Sequence, residues 1–164
     1  MPTPIDNINH MLLGIVSEYF EAEEAYFRSV KNANAVSIEE SIGLLADYEK
    51  ELGDILWYLA GLCHFANLKF EVNADPDNEN VTKAIETLCS EFKAHWVYNR
   101  NLETANHKGY VPLDHIQKAV YAIINWVISQ PFKIENIMQM NIDKLAARYP
   151  EQYTDYLANN RNHE

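Results

Sequence analysis

Apolar residues recur every three or four positions along nearly the whole chain, the spacing of one buried face on a helix rather than of a strand. The first such run extends from about Ile5 to Lys31, with Ile8, Leu12, Ile15, Val16, Tyr19, Tyr26, Phe27 and Val30 on its apolar positions. Asn32-Ala33-Asn34-Ala35 breaks it. A second helix opens at Ser37, where Ser37 and Glu40 have the form of a capping box. It continues to about Phe70, burying Leu45, Tyr48, Leu52, Ile55, Leu56, Leu59, Leu62 and Ala66. Asn73-Ala74-Asp75-Pro76-Asp77-Asn78 reads as a loop. A third helix follows from about Val81 to Glu103, then a break from Asn106 to Pro112 that contains Gly109. A fourth runs from about Leu113 to Gln130. Pro131 restarts the chain into a fifth that ends near Tyr149, before Pro150, and a further short helical turn is expected in the tail. The pattern predicts an all-α fold: an antiparallel bundle of about five main helices in a single domain spanning residues 1–164.

Composition narrows the function classes. The chain has 164 residues, 48% of them hydrophobic, enough for one real core. Its formal net charge of −11 repels nucleic acid and anionic membranes, so neither is expected as a partner. No apolar run is long enough to cross a bilayer and no leader pattern opens the chain, so a cytoplasmic location is expected. Cys63 and Cys89 sit in apolar helical contexts and read as core filler. An anionic small molecule remains compatible with this charge if a metal or a local cluster of Lys and Arg bridges to it.

Two acidic pairs supply such a metal site. Glu18-Tyr19-Phe20-Glu21 and Glu51-Leu52-Gly53-Asp54 each place two carboxylates i, i+3 on one helical face. At about 100° per residue, both pairs hold nearly the same offset from their own apolar stripe. Helices packing through those stripes would bring the pairs face to face. Carboxylates so close need a cation, and hard oxygen donors suit Mg²⁺, with Mn²⁺ as the alternative. Acids beside an apolar stripe are also ordinary surface features. It is the matched offset, with Gly53 permitting close approach, that favours the metal. Glu24 offers a second partner for Glu21, but lies further round toward solvent.

A third constellation lies near the C-terminus. Asn141, Lys144 and Arg148 fall at i, i+3, i+7 and share a face. Cations there either complement a helix C-terminus or grip phosphate; spacing leaves both readings open. The same holds for Asn160-Arg161. Trp57, Tyr58, Trp96 and Tyr98 are candidates for base stacking or for core. Ser17-Glu18-Tyr19-Phe20 also echoes Ser90-Glu91-Phe92, a similarity that duplication or chance between amphipathic helices explains.

These motifs together resemble the MazG-like all-helical nucleoside triphosphate pyrophosphohydrolases. Glu18-Tyr19-Phe20-Glu21, Glu51-Leu52-Gly53-Asp54-Ile55-Leu56-Trp57-Tyr58, Asn141-Ile142-Asp143-Lys144-Leu145, Arg148-Tyr149-Pro150 and Asn160-Arg161 carry the likeness, over roughly residues 10–70 and 131–161. The resemblance implies Mg²⁺-dependent cleavage of a nucleoside triphosphate to monophosphate and pyrophosphate. Glu18, Glu21, Glu51 and Asp54 would be the catalytic metal ligands, and Asn141, Lys144, Arg148 and Arg161 would contact substrate. It also implies a homo-oligomer, dimer or tetramer. The chain departs from the family in its long spacer between acidic pairs, in Tyr19-Phe20 where a small residue is usual, and in two extra helices over about residues 73–130. A helical module that binds nucleotide or a partner protein without turnover is the competing expectation. A di-iron or di-manganese bundle is disfavoured, because no Glu-x-x-His occurs.

Overall fold

The computed structural model describes residues 4–32, 37–74, 80–94 and 112–149. Among these the chain is all-α, with five helices: α1 (Pro4–Asn32), α2 (Ile38–Ala66), α3 (Val81–Phe92), α4 (Pro112–Ile128) and α5 (Ile134–Arg148). No described helix is long and apolar enough to cross a membrane. Expectations for Trp96, Tyr98, Arg161, the end of the third helix and the tail fall outside the described residues.

The α1–α2 hairpin is the frame. Gly14 lies under the Tyr58 ring, Gly61 under the Met11 sulfur, and Tyr26 against Tyr48 with ring centroids 5.4 Å apart. As α1 advances α2 recedes, so the pair is antiparallel. Ile8, Met11, Ile15, Tyr19, Ala22 and Ala25 supply the inward stripe of α1, and Leu52, Ile55, Leu59 and Leu62 that of α2. At α2's start the capping box forms in full: the Glu40 amide donates to Ser37 Oγ at 3.2 Å, and the Ser37 amide to Glu40 Oε2 at 3.0 Å.

Three sequence expectations change here. Tyr26, Phe27 and Val30 are exposed rather than packed inward, because α1 continues its buried stripe through the small residues Ala22, Ala25 and Ser29. Leu45 is likewise exposed, since burial along α2 begins only at Tyr48. The second helix also ends at Ala66, short of Phe70. Asn67 takes a left-handed conformation (φ 54°), and its amide closes the helix on the Cys63 carbonyl. Polar side chains of α4 then hold the departing backbone. Gln117 accepts from the Lys69 amide and donates to the Lys69 carbonyl, both at 2.8 Å, as a neighbouring strand would. Asn125 donates to the Ala74 carbonyl at 2.7 Å.

The two extra helices form a second hairpin, α3–α4. The start of α3 and the end of α4 meet at Tyr19, whose hydroxyl lies 3.2 Å from the Thr82 hydroxyl and whose ring meets Trp126 edge-on at 5.5 Å. Cys63 is buried and Cys89 half-buried, both unpaired thiols. Burial pushes the Cys63 thiol up to about 12, so it is core, as expected.

Helix α5 lies along α2 in the same direction, crossing it at Gly53. A Cβ on Gly53 would stand 3.1 Å from the Ile137 carbonyl oxygen. The close approach that glycine permits is therefore that of α5, not of α1. Gly53→Val is expected to push α5 away and to destabilise the fold by about 1–3 kcal/mol, the usual cost of overpacking, read from the urea midpoint.

Candidate metal centre

The antiparallel register sets Glu18 of α1 beside Asp54 of α2, and the i, i+3 spacing brings Glu51 onto the same patch. One carboxylate oxygen from each of Glu18, Glu51 and Asp54 lies within 4.8 Å of the other two. Glu51 is 7% exposed and Asp54 9%, while Glu18 is half-buried. Burying three acids in contact is costly unless each charge is compensated.

The compensation is visible group by group. Asp54 Oδ1 accepts from both the Asn141 amide and the Lys144 ammonium of α5. Glu51 Oε1 accepts from the Lys50 ammonium at 2.9 Å, and that hydrogen bond is the chief cause of a raised Lys50 pKa. Among the described residues no cation pairs with Glu18. Burial first, then pairing with the Glu51 carboxyl, then the charges of Asp54, Glu21 and Glu51 push its pKa from 4.5 up to about 8. At neutral pH it is held mainly as the protonated acid. One atom stays without an answer among the described residues: Glu51 Oε2 is buried with no hydrogen-bond partner.

Glu21 does not join the trio. It is exposed, and its Oε1 accepts the Ser17 hydroxyl at 3.2 Å, although its charge still reaches Glu18. Glu24, the alternative partner, is turned to solvent in a 3.8 Å pair with Arg28. Of the basic face on α5, Asn141 and Lys144 arrive at Asp54. Exposed Arg148 borders a cavity of about 120 Å³ with Glu18, Asp54, Trp57, Tyr58, Lys144 and Tyr149. The half-buried Trp57 and Tyr58 pack against the core and also line the charged cavity. Sequence reasoning missed Lys50, although its place directly before Glu51 marks it as a counter-charge.

The residues fit a divalent cation. All three acids offer hard oxygens, their reach is that of one ion's shell, and Glu51 Oε2 is a buried lone-pair donor with no hydrogen-bond partner among the described residues. The ammonium groups of Lys50 and Lys144 meanwhile hold the acids together electrostatically.

The raised pKa of Glu18 has a definite sign in stability. Between pH 4.5 and about 8 the folded chain holds a proton here that the unfolded chain has lost. The contribution is thus fully present below pH 4.5 and lost as pH rises through about 8. Without divalent cations, Glu18→Gln is expected to gain stability relative to the parent steadily over that interval. Urea melts at several pH values check this, and parallel curves would contradict it. Compared with protein-family models, with curated proteins and with solved structures, the chain gives no match, so the chemistry of this site rests on its own residues.

Proposed function

We propose that the chain is a nucleoside triphosphate pyrophosphohydrolase of the MazG-like, all-helical kind, hydrolysing its substrate to the monophosphate and pyrophosphate with Mg²⁺, or with Mn²⁺ in its place. The observation that carries this reading is the buried, partly unpartnered carboxylate of Glu51, closed against Glu18 and Asp54 beside a cavity that Lys144 and Arg148 border. Acids that hold metal and cations that hold phosphate meet on one patch, which is what a polyanionic substrate needs on a chain of net charge −11.

Glu18, Glu51 and Asp54 would hold the metal. Glu21 would reach it only by turning its exposed side chain from Ser17. When bound, the cation supplies Lewis-acid polarisation of a phosphoryl oxygen and a lowered pKa for water. The remaining work belongs to the chain. Lys144 passes from Asp54 to a phosphate oxygen, and Arg148 neutralises the departing pyrophosphate with its planar fork. Water adds to the α-phosphorus as the α–β anhydride bond breaks, and pyrophosphate leaves with the electron pair. Glu18, protonated near neutral pH, would give up that proton where a cation is held, and its carboxylate would then be placed to take one from the attacking water. Electrostatic placement carries most of the acceleration, as is usual for transfer at phosphorus.

A homo-oligomer, dimer or tetramer, belongs to the same proposal. Leu13, Phe20 and Phe27 stand seven residues apart on α1 and remain more than half exposed, with Val30, Ile38 and Ile42 toward the hairpin end. Large apolar side chains grouped in this way favour burial against another copy.

A panel of nucleoside triphosphates assayed with Mg²⁺ and Mn²⁺ for pyrophosphate release tests the activity. Asp54→Asn is expected to lower turnover by roughly 100-fold or more, the scale of losing a charge-stabilising group, with helicity retained. Arg148→Ala is expected to raise KM about 10-fold, equivalent to about 1.4 kcal/mol. Tight nucleotide binding with no pyrophosphate release would instead identify a non-catalytic nucleotide-binding module.

A further inference from the structure

Beside the charged cavity lies a second one of different character. It has a volume of about 340 Å³, within the range of small-molecule sites. Leu56, Trp57 and Ala60 of α2, Phe70 of the segment after it, and Met138 and Ile142 of α5 form its walls. Among the described lining residues Asn141 carries the one side-chain amide and none is charged, and an N–H of that amide is already given to Asp54. Trp57 is common to both cavities: on one side it meets Glu18, Asp54, Lys144 and Arg148, on the other this apolar hollow.

We infer that this hollow seats the base of the nucleotide, and that the base is recognised by its flat face against Trp57 rather than by hydrogen bonds to its edge. The inference rests on the proposed pyrophosphohydrolase reading and adds where the rest of the substrate goes. The charged cavity, at about 120 Å³, has room for phosphate and not for a whole nucleotide. An amphipathic ligand with a polyanionic end and a planar, weakly polar end matches the two cavities in order across Trp57. A further cavity of about 330 Å³, on the other flank of α5, sets Asp47, Lys50 and Lys144 beside Ala46, Ile137 and Met140, and neither Trp57 nor another aromatic ring is among its described lining residues.

The consequence is a particular form of selectivity. A site that hydrogen-bonds a base rejects analogues lacking the matching group by several orders of magnitude, whereas an apolar site discriminates far less. Exchanging an amino for a keto group on a ring of the same size is expected to alter affinity by less than about 10-fold. Removing the base altogether is expected to cost considerably more, because stacking is lost and the hollow is left unfilled.

Calorimetric titration of non-hydrolysable nucleoside triphosphate analogues and of inorganic tripolyphosphate, each with Mg²⁺, tests this in the parent and in Ile142→Glu. Ile142 is 55% exposed on α5, so the substitution charges the rim without opening the core. Ile142→Leu serves as the conservative control. The parent is expected to bind the nucleotide at least 10-fold more tightly than tripolyphosphate. Ile142→Glu is expected to erase that preference while leaving tripolyphosphate affinity unchanged, and Ile142→Leu to retain it. Equal affinity for both ligands in the parent overturns the base site and leaves the phosphate reading standing. Equal weakening of both ligands by Ile142→Glu, or a change of oligomeric state with it, also overturns the base site; the latter would mark the hollow as a subunit seam. Binding of neither ligand by the parent overturns the pyrophosphohydrolase reading, and the base site with it.

Discussion

Three carboxyl groups pressed together at the seam of α1 and α2 are the constraint around which the rest is arranged. At 4.8 Å, two full negative charges repel by about 3 kcal/mol at an effective dielectric of 20. They cannot relax apart, because Ile15 and Tyr19 on one helix and Leu52 and Ile55 on the other are buried on either side of them. The fold answers with a proton on Glu18 and ammonium groups on Glu51 and Asp54. In the proposed metal-bound state each would give way to a divalent ion. An apolar core that fixes the spacing of acids is a means of pre-organisation: the packing does its work before the ligand arrives.

Helix α5 completes the arrangement by carrying two kinds of side chain to the same place. Asn141 is buried and donates to Asp54, while Lys144 also reaches Asp54 and lines the charged cavity with Arg148. Gly53 makes this possible, since only a residue without a side chain lets the α5 backbone come so near α2. The α3–α4 hairpin has a different role. It braces the back of the frame at Tyr19 and holds the segment that carries Phe70, and so shapes the apolar hollow.

The all-helical fold was legible because a 3.6-residue period persists through nearly every segment, with few glycines or prolines inside it. The pairing of Glu51 and Asp54 with Glu18 was legible from their matched offsets. What the pattern could not supply was axial and rotameric detail. Glu18 and Glu21 stand about 60° apart on a helical wheel, and that step leaves Glu21 exposed on the Ser17 hydroxyl while Glu18 is closed in by α2. An apolar stripe also says nothing about how far its partner extends, which is why Tyr26, Phe27, Val30 and Leu45 read as core and stand in solvent. The end of α2 was hidden for a third reason: side chains of α4, distant in sequence, decide where its backbone bonds go.

Cation binding at the trio is the central requirement, and Mn²⁺ titration followed by electron paramagnetic resonance measures it directly. The parent protein is expected to bind Mn²⁺ more tightly as pH rises from 6 toward about 8, releasing the Glu18 proton, and Glu51→Gln is expected to lose that binding while remaining folded. Mn²⁺ bound equally well by the parent and by Glu51→Gln, or affinity that does not change with pH, would contradict it.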